Sequence, residues 1–265
     1  MSQTAASEKQ VFSYDGINVI YYVAGQGYPI LLLHGWGCSH ETMQPVYEHL
    51  KQHYRVYNFD FPGFGESEEP KEVWGTLEYA DMIVAFIEQH CQQPPVLIAH
   101  SFGGRISLRL GARGIPHKMV LTGCAGLKPK RGMDYYTKVY SYKAAKKLLS
   151  LPGLSKKKEE ILTKMRGEKG SDDYKKASEK MRGVFVRVVN EDLKDLLPQI
   201  KMPVVLYWGE LDTATPLTDG QTMEREMADA GLIVMKGATH YAYLERLGNF
   251  LAVLDSFLQP ERKEI

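Results

Sequence analysis

The stretch Pro95–Arg105, reading PVLIAHSFGGR, constrains the fold more than any other part of the chain. Val96, Leu97, Ile98 and Ala99 form an apolar run without polar alternation, the pattern of a strand buried on both faces of a parallel sheet. His100-Ser101-Phe102-Gly103-Gly104 breaks that run, and Ile106–Ala112 returns to helical spacing. A serine on a turn between a buried strand and a helix is the pattern of a nucleophile elbow. Such a turn needs small residues two positions either side of the serine, and Ala99 and Gly103 occupy those places. A plain strand–glycine turn–helix with an incidental serine looks the same locally, so partners elsewhere in the chain decide.

Strand and helix patterns alternate on both sides of this stretch. Val11–Val23 reads as two strands around Asp15-Gly16, a strong hairpin signal. Pro29–Leu33 is a third strand, ending at His34-Gly35-Trp36-Gly37, and Tyr54–Phe59 a fourth, followed by the turn-rich Asp60–Ser67. Between them Glu41–His53 has helical spacing. Thr76–Cys91 is the next helix, with Leu77, Ala80, Ile83, Val84 and Ile87 as its expected buried stripe, and Lys118–Thr122 is the sixth strand. From Pro203 onward come a strand at Val204–Trp208, a helix at Thr218–Ala230, a last strand at Leu232–Met235 and a closing helix at Tyr243–Leu258. This order predicts an α/β fold: a mostly parallel, doubly wound sheet of eight strands after an antiparallel start.

Residues 127–197 do not follow that rhythm. Tyr135–Leu149, Lys156–Met165 and Asp172–Val189 read as amphipathic helices. An insertion after the sixth strand would lie over the carboxyl end of the sheet, where ligands bind in this class of fold. The expected organisation is therefore a core of residues 1–126 and 198–265 with a helical cap at 127–197. The insertion carries 19 Lys+Arg against 10 Asp+Glu, while the rest of the chain carries 14 against 22. A near-neutral total thus divides into a basic cap and an acidic body. Solvated helix faces that also dock on the acidic body explain such lysine runs, and attraction to anionic substrates, lipid headgroups or an acidic partner would use them.

A serine hydroxyl is a poor nucleophile near neutral pH and needs a general base, usually a histidine oriented by a carboxylate. Asp212 follows the Val204–Trp208 strand, and His240 follows the last strand. Ser101, Asp212 and His240 thus leave the same edge of the sheet in the order serine, acid, histidine. Glu210 is the rival acid; Asp212 is preferred because it falls in the loop proper and is shorter. The oxyanion would be held by the backbone N–H of Phe102, after the nucleophile, and by one from the loop after the third strand. Trp36 is the choice there, with Gly35 and Gly37 as neighbouring candidates.

The motifs HGWG, DFPGFGES, AHSFGG, WGELDTATP and GATH resemble the α/β-hydrolase fold family, over about residues 11–258. The resemblance implies a catalytic triad on Ser101, Asp212 and His240. Ala99 and Thr239 stand where that family often has glycine. The serine at the elbow separates the chain from the dehalogenase and epoxide hydrolase branches, which use aspartate there.

The remaining features exclude other classes. A net charge of +1 gives no global attraction to nucleic acid. Cys38, Cys91 and Cys124 form neither a disulfide framework nor a zinc site. His49 and His53 stand four apart without a third ligand, so no metal is expected, and no cofactor. Arg105 reads as structural. The polar MSQTAASEKQ start lacks a signal-peptide core, and no stretch approaches the roughly 18 apolar residues of a membrane helix, so a cytoplasmic protein without an integral membrane segment is expected. The reading is a serine esterase cleaving small-to-medium carboxylic esters as small-molecule substrates, with oligomeric state open. A carbon–carbon bond hydrolase of dicarbonyl compounds, a lyase using the triad as a base, and a non-catalytic ligand sensor are the alternatives.

Overall fold

The computed structural model describes residues 7–128 and 177–262. Eight strands form one sheet: β1 (Glu8–Tyr14), β2 (Ile17–Ala24), β3 (Pro29–Leu33), β4 (Arg55–Phe59), β5 (Val96–His100), β6 (Lys118–Thr122), β7 (Val204–Gly209) and β8 (Ala230–Met235). Their spatial order is β1-β2-β4-β3-β5-β6-β7-β8. β1 and β2 pair antiparallel through the Asp15-Gly16 turn, whose φ values of 50° and 67° are the left-handed conformations a tight hairpin requires. β2 meets β4 antiparallel, and every later pairing is parallel.

Helices cover both faces, as a parallel sheet requires. Successive residues of the inner strands feed opposite cores. Leu31, Leu33, Leu97, Ala99, Met119 and Leu121 join one, and Ile30, Leu32, Val96, Ile98 and Val120 the other. The first core is closed by α2 (Thr76–His90), α3 (Phe102–Ala112), α4 (Glu179–Asn190) and α5 (Leu217–Glu226). The second is closed by α1 (His40–Leu50), α6 (Ala242–Glu245) and α7 (Leu247–Phe257).

Four expectations shift. Leu77 is 42% exposed, because α2 turns Thr76, Tyr79, Ala80, Met82, Ile83, Phe86 and Ile87 inward instead. The helix expected at Thr218–Ala230 stops at Glu226. Residues 228 and 229 leave it because Ala228 N–H donates to the Ile200 carbonyl and the Asp229 carbonyl accepts from Val204. Ala230 then opens β8 beside Val204. The closing helix is broken at Arg246, whose φ of −125° and ψ of 42° are not helical.

Of the insertion, the segments Tyr135–Leu149 and Lys156–Met165 lie outside the described residues, and the described part of Asp172–Val189 includes most of α4. The described ends of the insertion meet: Leu193 N–H donates to the Gly126 carbonyl at 2.9 Å. α4 packs back on the core through Met181, Val184 and Val188. Its C-terminal end is fastened to the two helices beside it. The Glu191 carboxylate takes an ion pair from Arg109 at 2.9 Å and a hydrogen bond from the Thr76 hydroxyl. The Glu191 carbonyl accepts from buried Arg105 at 3.1 Å, which gives that arginine its structural role.

Candidate active site

The strand order turns about β3, with β4 on one side and β5 on the other. Ligand crevices of open α/β sheets form at the carboxyl ends of strands where the order reverses in this way. The loop after β3 and the turn after β5 meet at that crevice. Gly103 N–H donates to the His34 carbonyl at 3.1 Å. The two backbones lie so close that a Cβ on Gly103 would stand 2.3 Å from the Leu33 carbonyl oxygen; only glycine fits. Gly35 lies as close to β5, where a Cβ would stand 2.8 Å from the His100 ring and 3.5 Å from Ser101 Cβ.

Ser101 sits between β5 and α3 with φ 49° and ψ −104°. Apart from Asp15 it is the one described non-glycine residue with positive φ. Strain of this kind, of order 1–3 kcal/mol, persists where the surroundings over-determine it. Here Ser101 N–H donates to the Thr122 carbonyl, while its own carbonyl accepts from Arg105 and Ala125. The elbow pattern read from PVLIAHSFGGR is therefore present as backbone geometry.

Ser101, Asp212 and His240 come together. His240 Nε2 lies 3.0 Å from Ser101 Oγ, and His240 Nδ1 lies 2.8 Å from Asp212 Oδ2. Asp212 is 5% exposed. Burial pushes its carboxyl up, but hydrogen bonds from His240 and Thr215 outweigh that and hold it below the usual aspartate range. An ionised Asp212 accepts Nδ1–H, which leaves Nε2 as the acceptor facing Ser101. Glu210, the rival acid, turns away and accepts from Gly237 N–H at 2.9 Å.

Trp36 and Phe102 flank the serine. Their rings meet edge to face at 5.4 Å, and Phe64 and Phe185 close on the Trp36 ring at 4.8 and 5.0 Å. Phe102 is the first residue of α3, so its N–H has no partner within the helix. A cavity of about 320 Å³ opens beside Trp36 and Gly37, walled by Phe64 and Met181, with Glu69 and Ser178 at its polar side.

Sequence reading passed over three neighbours. Thr215 contacts Asp212, although nothing in the run TATP distinguishes it from a turn threonine. His100 is buried against His240, with ring centroids 4.7 Å apart. Burial, with help from His240, lowers its pKa to about 3. His34 is equally buried and accepts Phe61 N–H on Nε2 at 3.0 Å, and burial lowers its pKa to about 4. Both are neutral near pH 7. His49 and His53 are occupied elsewhere, by Asp255 at 2.8 Å and by Arg262.

The sequence profile of the alpha/beta hydrolase family matches residues 30–253. The chain belongs to the alpha/beta hydrolase family. Among curated relatives, a pimeloyl acyl-carrier-protein methyl ester esterase of Aliivibrio salmonicida is 23% identical over 261 residues, covering 92% of this chain and 97% of its own. One of Legionella pneumophila is 25% identical over 252 residues, with 89% and 97% covered. Among solved structures, a bacterial membrane phospholipase A superposes with a TM-score of 0.75 at 20% identity, covering 97% of this chain and 87% of that one. At that identity the likeness bears on the fold alone. The chain is thus an α/β-fold hydrolase with esterases among its relatives, and no described helix is long and apolar enough to cross a membrane.

Proposed function

We propose that this hydrolase cleaves small-to-medium carboxylic esters through an acyl-enzyme on Ser101. The observation that carries the reading is the continuous contact from Asp212 Oδ2 through His240 to Ser101 Oγ, at 2.8 and 3.0 Å. His240 Nε2 takes the hydroxyl proton as Oγ attacks the ester carbonyl, and Asp212 stabilises the imidazolium that forms. The backbone N–H groups of Phe102 and Trp36 receive the oxyanion, each worth on the order of 10²–10³ in turnover. His240 then protonates the departing alcohol, and water, deprotonated by the same imidazole, releases the acid and restores the Ser101 hydroxyl.

The strained Ser101 backbone supports this reading, as does the ester chemistry in the relatives' names. The cavity of about 320 Å³ beside Trp36 and Gly37, at the small end of ligand pockets, adjoins the loop proposed to supply the second oxyanion donor. Residues 127–197 are proposed as a cap over this cavity, a reading supported by the meeting of Gly126 with Leu193 and of Phe185 with Trp36. The relatives are named for an acyl group borne on a carrier protein. The excess of basic residues in 127–197 would favour an acidic carrier of that kind.

The test is hydrolysis of p-nitrophenyl esters of increasing acyl length by the native chain and by Ser101→Ala. Activity that falls with chain length and is lost in the variant is expected. A folded native protein that cleaves none of them overturns the esterase reading, and dicarbonyl substrates with a scissile carbon–carbon bond become the next trial.

A further inference from the structure

The Asp212 carboxylate is held by more than His240. Oδ1 accepts the backbone N–H groups of Ala214 and Thr215, both at 2.9 Å. Oδ2 is shared between His240 Nδ1 and the Thr215 hydroxyl, each at 2.8 Å. That hydroxyl also lies 3.1 Å from the Gly123 carbonyl oxygen and 3.3 Å from His240 Nδ1. One buried OH group, on a residue 6% exposed, therefore stands where the ends of β6 and β7 and the loop after β8 converge.

We propose that Thr215 is a positioning residue of the site, fixing Asp212 Oδ2 where His240 Nδ1 meets it. The inference rests on the triad reading of Ser101, His240 and Asp212. A carboxylate can turn about its Cβ–Cγ bond, and turning would take Oδ2 off the imidazole. The two amides on Oδ1 restrain one oxygen, and Thr215 restrains the other. Its hydroxyl carries a single proton, donated to Oδ2 at 2.8 Å, with the Gly123 carbonyl just after β6 as the longer, competing acceptor at 3.1 Å. Other ionisable groups that feel the Asp212 charge are His100 on β5, Asp219 on α5 and Glu245 on α6. None of the three bonds Oδ2 among the described residues, which leaves Thr215 as its second donor.

The experiment measures phosphonylation of Ser101 by a fluorophosphonate. The Oγ–P bond forms, the P–F bond breaks, fluoride leaves and His240 takes the serine proton. The reagent needs no particular acyl group, so the rate reports on the triad whatever the natural substrate. Thr215→Val keeps the side-chain shape and removes one hydrogen bond to a charged group. It is expected to lower the maximal rate constant about tenfold and to leave the half-saturating reagent concentration within about twofold. Thr215→Ser, which keeps the hydroxyl, is expected within about threefold of wild type, and in an Asp212→Ala background Thr215→Val is expected to add less than about twofold. A rate for Thr215→Val within twofold of wild type, a Thr215→Ser as slow as the valine variant, or the full loss repeated without Asp212 would each overturn the proposal. Trp208 Nε1–H donates to the Thr215 carbonyl at 2.8 Å, so tryptophan emission reports whether the turn keeps its place. Labelling of Ser101→Ala at the native rate would instead bring down the triad reading and this proposal with it. Phosphonylation without cleavage of any ester would remove only the ester assignment.

Discussion

Two histidine–aspartate pairs lie on opposite sides of the β3–β5 crevice, and their geometry is almost the same. His40 Nδ1 stands 2.9 Å from Asp60 Oδ1, and His240 Nδ1 stands 2.8 Å from Asp212 Oδ2. Both aspartates are buried, with side chains fully covered. The pairs differ in what the rest of each ring meets. The His240 ring presents Nε2 to Ser101 Oγ. The His40 ring lies flat on Tyr22 with centroids 4.0 Å apart, and Asp60 also receives backbone N–H groups from His40 and Glu66. A buried imidazole–carboxylate contact is thus a building element. It pins a loop at Asp60, and on the proposed mechanism it serves proton transfer at Asp212 because the strained elbow places a hydroxyl beside the second ring nitrogen.

The largest effects come from exchanging acid for amide in each pair. On the proposed mechanism Asp212→Asn leaves the fold nearly intact and lowers kcat on a p-nitrophenyl ester by roughly 10⁴-fold, because His240 then favours the wrong tautomer. Asp60→Asn should do the reverse. It weakens several donor contacts on a buried carboxylate and costs about 2–4 kcal/mol of unfolding free energy, while kcat of the folded fraction stays within about threefold. Urea midpoints and steady-state kinetics on the two variants decide the matter. A catalytic loss of equal size in both would mean that the two pairs act as one unit.

Behind each pair sits a buried histidine without a carboxylate partner, His34 on one side and His100 on the other. The folded pKa values of His34 and His100 fall to about 4 and about 3 from 6.5. Each folded-state value lies below the unfolded one, so between them the unfolded chain binds the extra proton. The stability these residues support is therefore full above pH 6.5 and declines as pH falls toward 4. Each contributes about 1.4 kcal/mol per pH unit, or roughly twice that together. His100→Asn should remove about half of that slope between pH 6.5 and 4.5, measured by urea denaturation. A native protein equally stable at pH 7 and pH 5 would contradict it.

How much of this was legible in the chain follows from how local each signal is. The elbow, the Asp15-Gly16 hairpin and the inner strands were readable because unbroken apolar runs and turn residues declare themselves within a few positions. Ser101, Asp212 and His240 were readable as strand-end residues in the right order, and the structure brings them within hydrogen-bonding distance. What failed depends on contacts distant in sequence. The end of α5 is set by Ile200 and Val204 claiming the backbone of Ala228 and Asp229. Leu77 fits the stripe on spacing alone, yet α2 buries the face carrying Tyr79 and Phe86. Thr215 and the pairing of His40 with Asp60 carry no sequence signature, since threonine, histidine and aspartate are ordinary loop residues until the strands assemble around them.

The smallest predicted effect bears on how the His40–Asp60 pair is held. The Tyr22 ring covers His40, and its hydroxyl bonds the exposed Glu66. Tyr22→Leu keeps an apolar side chain there and removes the ring–ring contact together with the exposed hydroxyl bond to Glu66, in all worth about 1 kcal/mol. In a chain of 265 residues that is a fall in Tm of about 2 °C, with kcat and KM for the ester within about twofold. Thermal melting followed beside steady-state kinetics reads both quantities. If catalysis fell with stability, His40 and Asp60 would be transmitting strain through Phe61 and His34 to the Gly35–Trp36 loop. A small loss of stability alone confines the first pair to holding its loop, and leaves the difference between the pairs to the single hydroxyl at Ser101.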